Sequence, residues 1–197
     1  MERWHLPPFI RNSNKGRIMN TYEFSVVLSG VNENTPNLED ALFEAGCGDG
    51  LICFYNDTVY IDFTRTSPSY KDAVLSAIKD IESAGLGARV VSVDAGDLVG
   101  ITEIASLSDI SKKTISAYKD GVRGAGHFPS PILRLKNTSP LWRWSDVATW
   151  LADNGKIDIE LAQNALITEA FNKALADREP QPVVKELVNE LSSSLAM

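Results

Sequence analysis

Three observations predict an α+β chain. Between Tyr22 and Asp94 the apolar spacing switches between strand-like and helix-like in the order β-α-β-β-α-β. From Ile101 to Leu151 two short helical patterns meet at a turn and lead into a Gly/Pro-rich segment closed by tryptophans. From Asp158 onward two stretches repeat apolar residues at helical spacing. The first pattern is the split βαβ order of a ferredoxin-like sandwich, one antiparallel sheet with two helices on one face. The second reads as a winged helix-turn-helix, the third as a helical hairpin. The expected divisions are a flexible arm (1–20), the sandwich (21–95), the helix-turn-helix unit (96–155) and the C-terminal helices (156–197).

In the arm, Pro7, Pro8 and an Asn/Ser/Gly/Lys run follow neither period, yet Trp4, Leu6, Phe9 and Ile10 are apolar enough to pack on a neighbour. Met19 stands just before the first strand and could be an alternative start. Tyr22–Ser29 is aromatic and β-branched, a strand. Pro36-Asn37 opens a helix with Asn37 as N-cap and Leu38, Ala41, Leu42 and Ala45 on one stripe; Gly46 ends it. Leu51–Tyr55 and Val59–Phe63 are strands about an Asn56-Asp57 turn, two residues that tolerate positive φ. Ser67–Ala84 is an amphipathic helix burying Ala73, Val74, Ala77, Ile78 and Ile81, stopped by Gly85 and Gly87. Ala88–Val93 is the last strand. Phe54, Tyr60 and Phe63 lie where RNA-binding sheets carry stacking aromatics, but the Gly-flanked motif of those domains is missing and the segment is acidic.

Composition narrows the function. The formal net charge of the 197 residues is -7, against a simple basic nucleic-acid-binding protein. The charge is uneven, however: Ser111 to Arg143 holds seven basic residues and one acid, Asp120, a phosphate-binding footprint in an acidic chain. Cys47 and Cys53, without a nearby histidine, make neither a zinc site nor a disulfide framework and read as reduced thiols. No run reaches the roughly 20 apolar residues of a membrane span, and no apolar signal core is present; a cytoplasmic, nucleoid-associated protein is expected. No Cys/His or Ser/His/Asp grouping, Walker loop or Rossmann loop is legible, so neither a cofactor nor enzymatic activity is expected. Asp57, Asp62, Asp72 and Asp80 read as solvated charges.

In the middle segment, Thr102-Glu103-Ile104-Ala105 begins a positioning helix, with small Ala105 at the helix crossing. Leu107-Ser108-Asp109-Ile110 makes the turn, with Asp109 where left-handed φ is needed. Ser111 caps a second helix, Ile115 points to the core, and Lys112, Lys113, Thr114, Ser116 and Lys119 face outward. A helix fits the major groove, its N-terminal residues reach base edges, and lysine or threonine there can meet a base or a phosphate. Gly121, Gly124 and Gly126 flank Arg123; then come His127-Phe128-Pro129-Ser130-Pro131, a strand Ile132–Leu135, a polar turn Lys136–Ser139 and the return Pro140–Trp144. His127 reads as a turn residue or phosphate contact. Ser145 caps a last helix, Asp146–Ala152, with Val147, Trp150 and Leu151 inward. Trp142, Trp144 and Trp150 read as core.

The run from Phe128-Pro129 through Trp142-Arg143-Trp144-Ser145-Asp146-Val147 to Trp150-Leu151 resembles the excisionase-like branch of the mercury-resistance-regulator superfamily of winged-helix proteins. The shared features are a Phe-Pro before the wing, a tryptophan closing it, and a helix opening Ser/Asp-x-Val with a further tryptophan. Asp109 and the longer Gly121–His127 approach depart from that pattern. The resemblance implies a recognition helix in the major groove, with Lys112, Lys113, Thr114 and Ser116 facing it. It also implies a wing on the minor groove or backbone, with Arg123, Arg134, Lys136 and Arg143 as wing or phosphate contacts.

Asp158 caps a helix to about Asp177 that is apolar on more than one side, with Ile159, Leu161, Ala162, Leu166, Ala170, Phe171, Ala174 and Leu175. Pro180 and Pro182 break it. A second helix repeats Val183, Val184, Leu187, Val188, Leu191 and Leu195. A homodimer through this pair would supply two half-sites. The expectation is a sequence-specific double-stranded DNA-binding transcriptional regulator, a bacterial repressor. An antitoxin-like form would bind a protein partner (toxin or effector) at the acidic N-terminal domain. An excisionase-like architectural cofactor and a protein-binding module are the alternatives.

Overall fold

The computed structural model describes residues 18–93, 97–136, 139–178 and 182–194. The expectations at Trp4, Leu6, Phe9, Ile10, Asp94, Asn137, Thr138, Pro180 and Leu195 lie outside the described residues.

Four antiparallel strands, β1 (Asn20–Ser29), β2 (Gly50–Tyr55), β3 (Thr58–Ser67) and β4 (Arg89–Val93), form a sheet in the order β2-β3-β1-β4. Helix α1 (Leu38–Leu42), which runs on into a π-type turn Phe43–Cys47, joins β1 to β2, and α2 (Tyr70–Ser83) joins β3 to β4. The β2–β3 hairpin turns at Asn56, whose φ is 51°, as the Asn-Asp pair requires. Alternation then builds the core. Tyr22, Phe24, Val26 and Leu28 of β1 and Val59, Ile61 and Phe63 of β3 are buried against Ala73, Val74, Ala77, Ile78 and Ile81 of α2.

Several boundaries differ from the sequence reading. β1 and β3 are longer than their apolar runs because they pair along their whole length, from Asn20↔Ser67 to Leu28↔Val59. β3 therefore takes Ser67, and α2 starts at Tyr70, capped by the Ser69 hydroxyl accepting from the Asp72 N–H at 3.1 Å. Asn37 is not a side-chain N-cap: it sits at φ 56° and makes no cap bond. Phe54, Tyr60 and Phe63 do not share a surface. Phe63 is buried against Phe24, at 5.4 Å between rings, and Tyr60 is on the opposite side of the pleat.

Asp80 is not a solvated charge. Arg65, 6% exposed, is held by Asp49 through two bonds of 2.8 Å, by Asp80 at 2.7 Å, by Ser76 and by the Gly46 carbonyl. Its guanidinium lies 4.8 Å from the Phe63 ring centre. One cation thus ties β3 to the end of the π turn and to α2. Burial alone would lower the Arg65 pKa; the bonds to Asp49 and Asp80 outweigh it and raise the value. Nearby, burial pushes the Cys47 thiol up to about 11, with Asp80 adding to the rise, which keeps it protonated and inert.

A second core follows. β5 (Leu98–Val99) pairs with β6 (Trp142–Arg143), and α3 (Ile101–Ser108), α4 (Lys112–Lys119) and α5 (Trp144–Asp153) surround Val99, Ile104, Ile115, Tyr118, Trp142, Val147 and Leu151. Helix α6 (Ile159–Asp177), capped by Asp158 accepting from the Glu160 N–H, belongs to both cores. Ala162 and Ala165 enter the second and Leu175 the first; Thr168, buried between them, bonds the Tyr70 hydroxyl at 2.8 Å. Its own chain therefore covers part of the apolar surface of α6, while Ile159 and Leu166 stay exposed. No α7 (Pro182–Ser194) side chain enters either core among the described residues. Among the described residues no helix is long and apolar enough to cross a membrane.

Candidate nucleic-acid interface

Helix α3 runs through Leu107 and Ser108, two residues further than the sequence suggests, and the Ser108 hydroxyl donates to the Ile104 carbonyl at 2.6 Å. Asp109 then takes φ 52°, the left-handed conformation the turn needs. Ser111 caps α4: its Oγ accepts from the Thr114 N–H at 3.2 Å and shares a hydrogen bond with the Thr114 hydroxyl at 2.9 Å. With Ile115 and Tyr118 buried, the opposite side of α4 faces solvent.

That side begins with cations. Helices α1, α2, α3, α5 and α6 each carry an acid in the first turn, as the helix dipole favours. α4 has none and opens on Lys112-Lys113, both exposed and without an ion-pair partner among the described residues. The arrangement costs α4 a few tenths of a kcal/mol per lysine, roughly 0.3–1. An anion bound at this end would reverse the sign of that cost.

The other expected contacts divide. Lys112 and Ser116 of α4 and Arg134 of the hairpin line one depression of about 510 Å³, with Glu103 at its α3 side. Glu103 is engaged there by the Gly100 N–H. Arg123 and Lys136 are exposed. Arg134 is exposed at φ 56°. Lys119 is ion-paired with Asp120 next to it. Thr114 is half-buried, its hydroxyl on the Ser111 cap. Arg143, still partly exposed, is already paired with Glu169 of α6 and, at 3.7 Å, with Asp146. Ser145 is not a cap; α5 begins at Trp144 and Ser145 donates to the other oxygen of Glu169. The Ser145 bond is the largest influence on Glu169; with Arg143 it holds the carboxyl below its ordinary value against the opposing effect of burial. Sequence reasoning missed this link because Glu169 lies one element away.

The hairpin is short. Leu133 and Leu141 form a single bridge, with the Leu141 N–H donating to Leu133 at 3.0 Å and the Ile132 N–H to Leu141 at 2.8 Å. The strand β5, which the sequence reading left unassigned, is recruited by β6. What shapes the approach from α4 is aromatic packing. Phe128 meets Trp150 at 5.1 Å and Trp142 at 6.4 Å, and Tyr118 meets Trp150 at 5.4 Å. The indole N–H of Trp142 donates to the Pro129 carbonyl at 2.9 Å and that of Trp150 to Gly126 at 3.0 Å. Gly124, at φ 90°, lies so close to Tyr118 that a Cβ would come within 3.0 Å of the ring. The tryptophans therefore act as clasps on an irregular loop. Compared with protein-family models, curated protein sequences and solved structures, the chain matches none of them.

Proposed function

We propose that the chain is a sequence-specific double-stranded DNA-binding regulator, with α4 as the helix presented to the major groove. The observation that carries the reading is the Lys112-Lys113 start of α4, unpaired among the described residues and the only first turn of the first six helices that holds cations without an acid. Phosphate or base acceptors would supply the missing negative charge. Arg134, sharing a depression with Lys112 and Ser116, and Lys136 beyond it extend the same surface on the hairpin, and Arg123 adds a further exposed cation. Arg143 and Lys119, already paired, contribute less. The α3–turn–α4 order with its β5–β6 pair and Leu133–Leu141 bridge supports a winged helix-turn-helix. The strand order β2-β3-β1-β4 supports a ferredoxin-like sandwich for the first domain. Two half-sites would follow from a homodimer, for which α7 offers exposed Val183, Val184, Leu187 and Val188.

The test is selection from a randomised duplex pool, followed by affinity measurements across a salt series. Affinity should fall steeply with salt, and Lys112→Ala/Lys113→Ala should flatten the log–log slope by about two while weakening binding. Salt-independent binding, or an unchanged slope in the double variant, would overturn the major-groove assignment.

A further inference from the structure

The two edges of the four-stranded sheet are treated differently. The β4 edge is closed by side chains of its own chain. Asn172 of α6 accepts from the Val93 N–H at 2.6 Å and donates to the Val93 carbonyl at 2.9 Å, as a neighbouring strand would, and Glu82 accepts from the Val90 N–H at 3.2 Å. Among the described residues the β2 edge has no such cover: β2 pairs only with β3, in unbroken register from Gly50↔Phe63 to Tyr55↔Thr58. Edge strands are ordinarily guarded by a charge, a proline or a bulge. Leu51-Ile52-Cys53-Phe54-Tyr55 has none of these. Leu51 is 67% and Tyr55 72% exposed, and Phe43 on the neighbouring π turn is 70% exposed.

The surroundings of this edge are acidic without relief. From Ile18 to Thr64 the chain has eight acids and no lysine, arginine or histidine. Two depressions, of about 340 and 380 Å³, border β2 on the helix side. Glu39 and Asp40 line both, Glu33 and Phe54 the first, Phe43 the second.

We propose that the β2 edge is a docking site for an extended segment of a partner protein that alternates basic and apolar residues and adds as a fifth strand. Main-chain bonds to β2 supply the pairing. Because side chains alternate across a strand, one set of the partner's residues faces the helix side and the other the open side. The helix-side set meets Glu33, Glu39 and Asp40 and is basic. The open-side set lies beside Leu51 and Tyr55 and is apolar. A second copy of this chain fits poorly, since β2 against β2 would bring the same carboxylates together with no cation between them. The inference rests on the sheet domain and is independent of the DNA reading.

The experiment uses the full chain and a labelled synthetic peptide alternating lysine and valine, followed by fluorescence anisotropy. Binding should weaken about tenfold or more when the peptide's pairing-edge backbone nitrogens are methylated, which keeps its charge and removes its donors. It should weaken comparably in the guard variant Leu51→Lys/Tyr55→Lys, whose positions are exposed; circular dichroism and melting check that the fold is kept. Equal binding of the methylated peptide would reduce the effect to plain charge attraction and overturn strand addition. Equal binding by the guard variant would move the site elsewhere. A wild-type dimer that the guard variant converts to monomer would give the edge to a second copy and overturn the proposal.

Discussion

In the sheet domain, Arg65 is buried and gives its guanidinium to two carboxylates, a hydroxyl and a carbonyl. In the second domain, Lys112 and Lys113 stand exposed at a helix start with no carboxylate paired to them among the described residues. The charge has the same sign and its use is opposite. A buried cation must be saturated from within, or its desolvation unfolds the domain. An exposed, dipole-opposed pair is a standing local cost that only an external anion removes. Arg143 lies between these cases: it stays partly exposed, yet Glu169 of its own chain already pairs with it. Charge counts alone would place all these cations in one pool, and the partners separate them.

The largest effect expected bears on how α4 is held. Trp142 is 1% exposed, packs on Phe128 and donates to Pro129. Trp142→Ala should cost about 3–5 kcal/mol by denaturant unfolding. A loss below ~1 kcal/mol would show that the aromatic clasp is dispensable and that the loop is held some other way. Next, Arg65→Ala should cost about 2–3 kcal/mol, less than the ~3–5 of a fully buried pair because Asp49 and Asp80 are about a third exposed. If Arg65→Ala is neutral, the contrast with the α4 lysines collapses.

A smaller effect tests the intermediate case. The Glu169 carboxyl titrates below its ordinary value of 4.5. A depressed carboxylate contributes fully above that ordinary value, and its contribution is lost as pH falls through the lower folded-state value. Acid should therefore loosen the α5–α6 junction, and Glu169→Gln should lose that part of the pH dependence, on the order of 1 kcal/mol or less for a partly exposed pair. Chemical denaturation as a function of pH measures it; identical pH profiles would show that the contacts of Glu169 with Ser145 and Arg143 do not favour its charged form. The smallest effect has the opposite sign. Lys112→Ala/Lys113→Ala should stabilise the fold by about 0.5–1 kcal/mol while weakening the proposed DNA binding. A destabilised double variant would mean that the lysines hold the fold and are not kept for a ligand.

Much of the architecture was legible without coordinates, because it rests on local rules. The buried face of α2, the positive φ at Asn56 and Asp109, the caps at Ser111 and Asp158 and the inward Ile115 all follow from residue type and spacing. What needed the folded chain was every feature decided by a distant partner. β1 and β3 lengthen because they find each other; Arg65 is saturated by Asp49 and Asp80; Arg143 pairs with Glu169; α6 places residues in both cores. The bare β2 edge belongs here too, since its exposure depends on strand order and on Asn172 closing the other side. Periodicity and caps are set within a few residues, by backbone geometry that the sequence carries wherever it goes. Which charge is quenched and which edge stays open is set by residues dozens of positions away, and only packing brings those together.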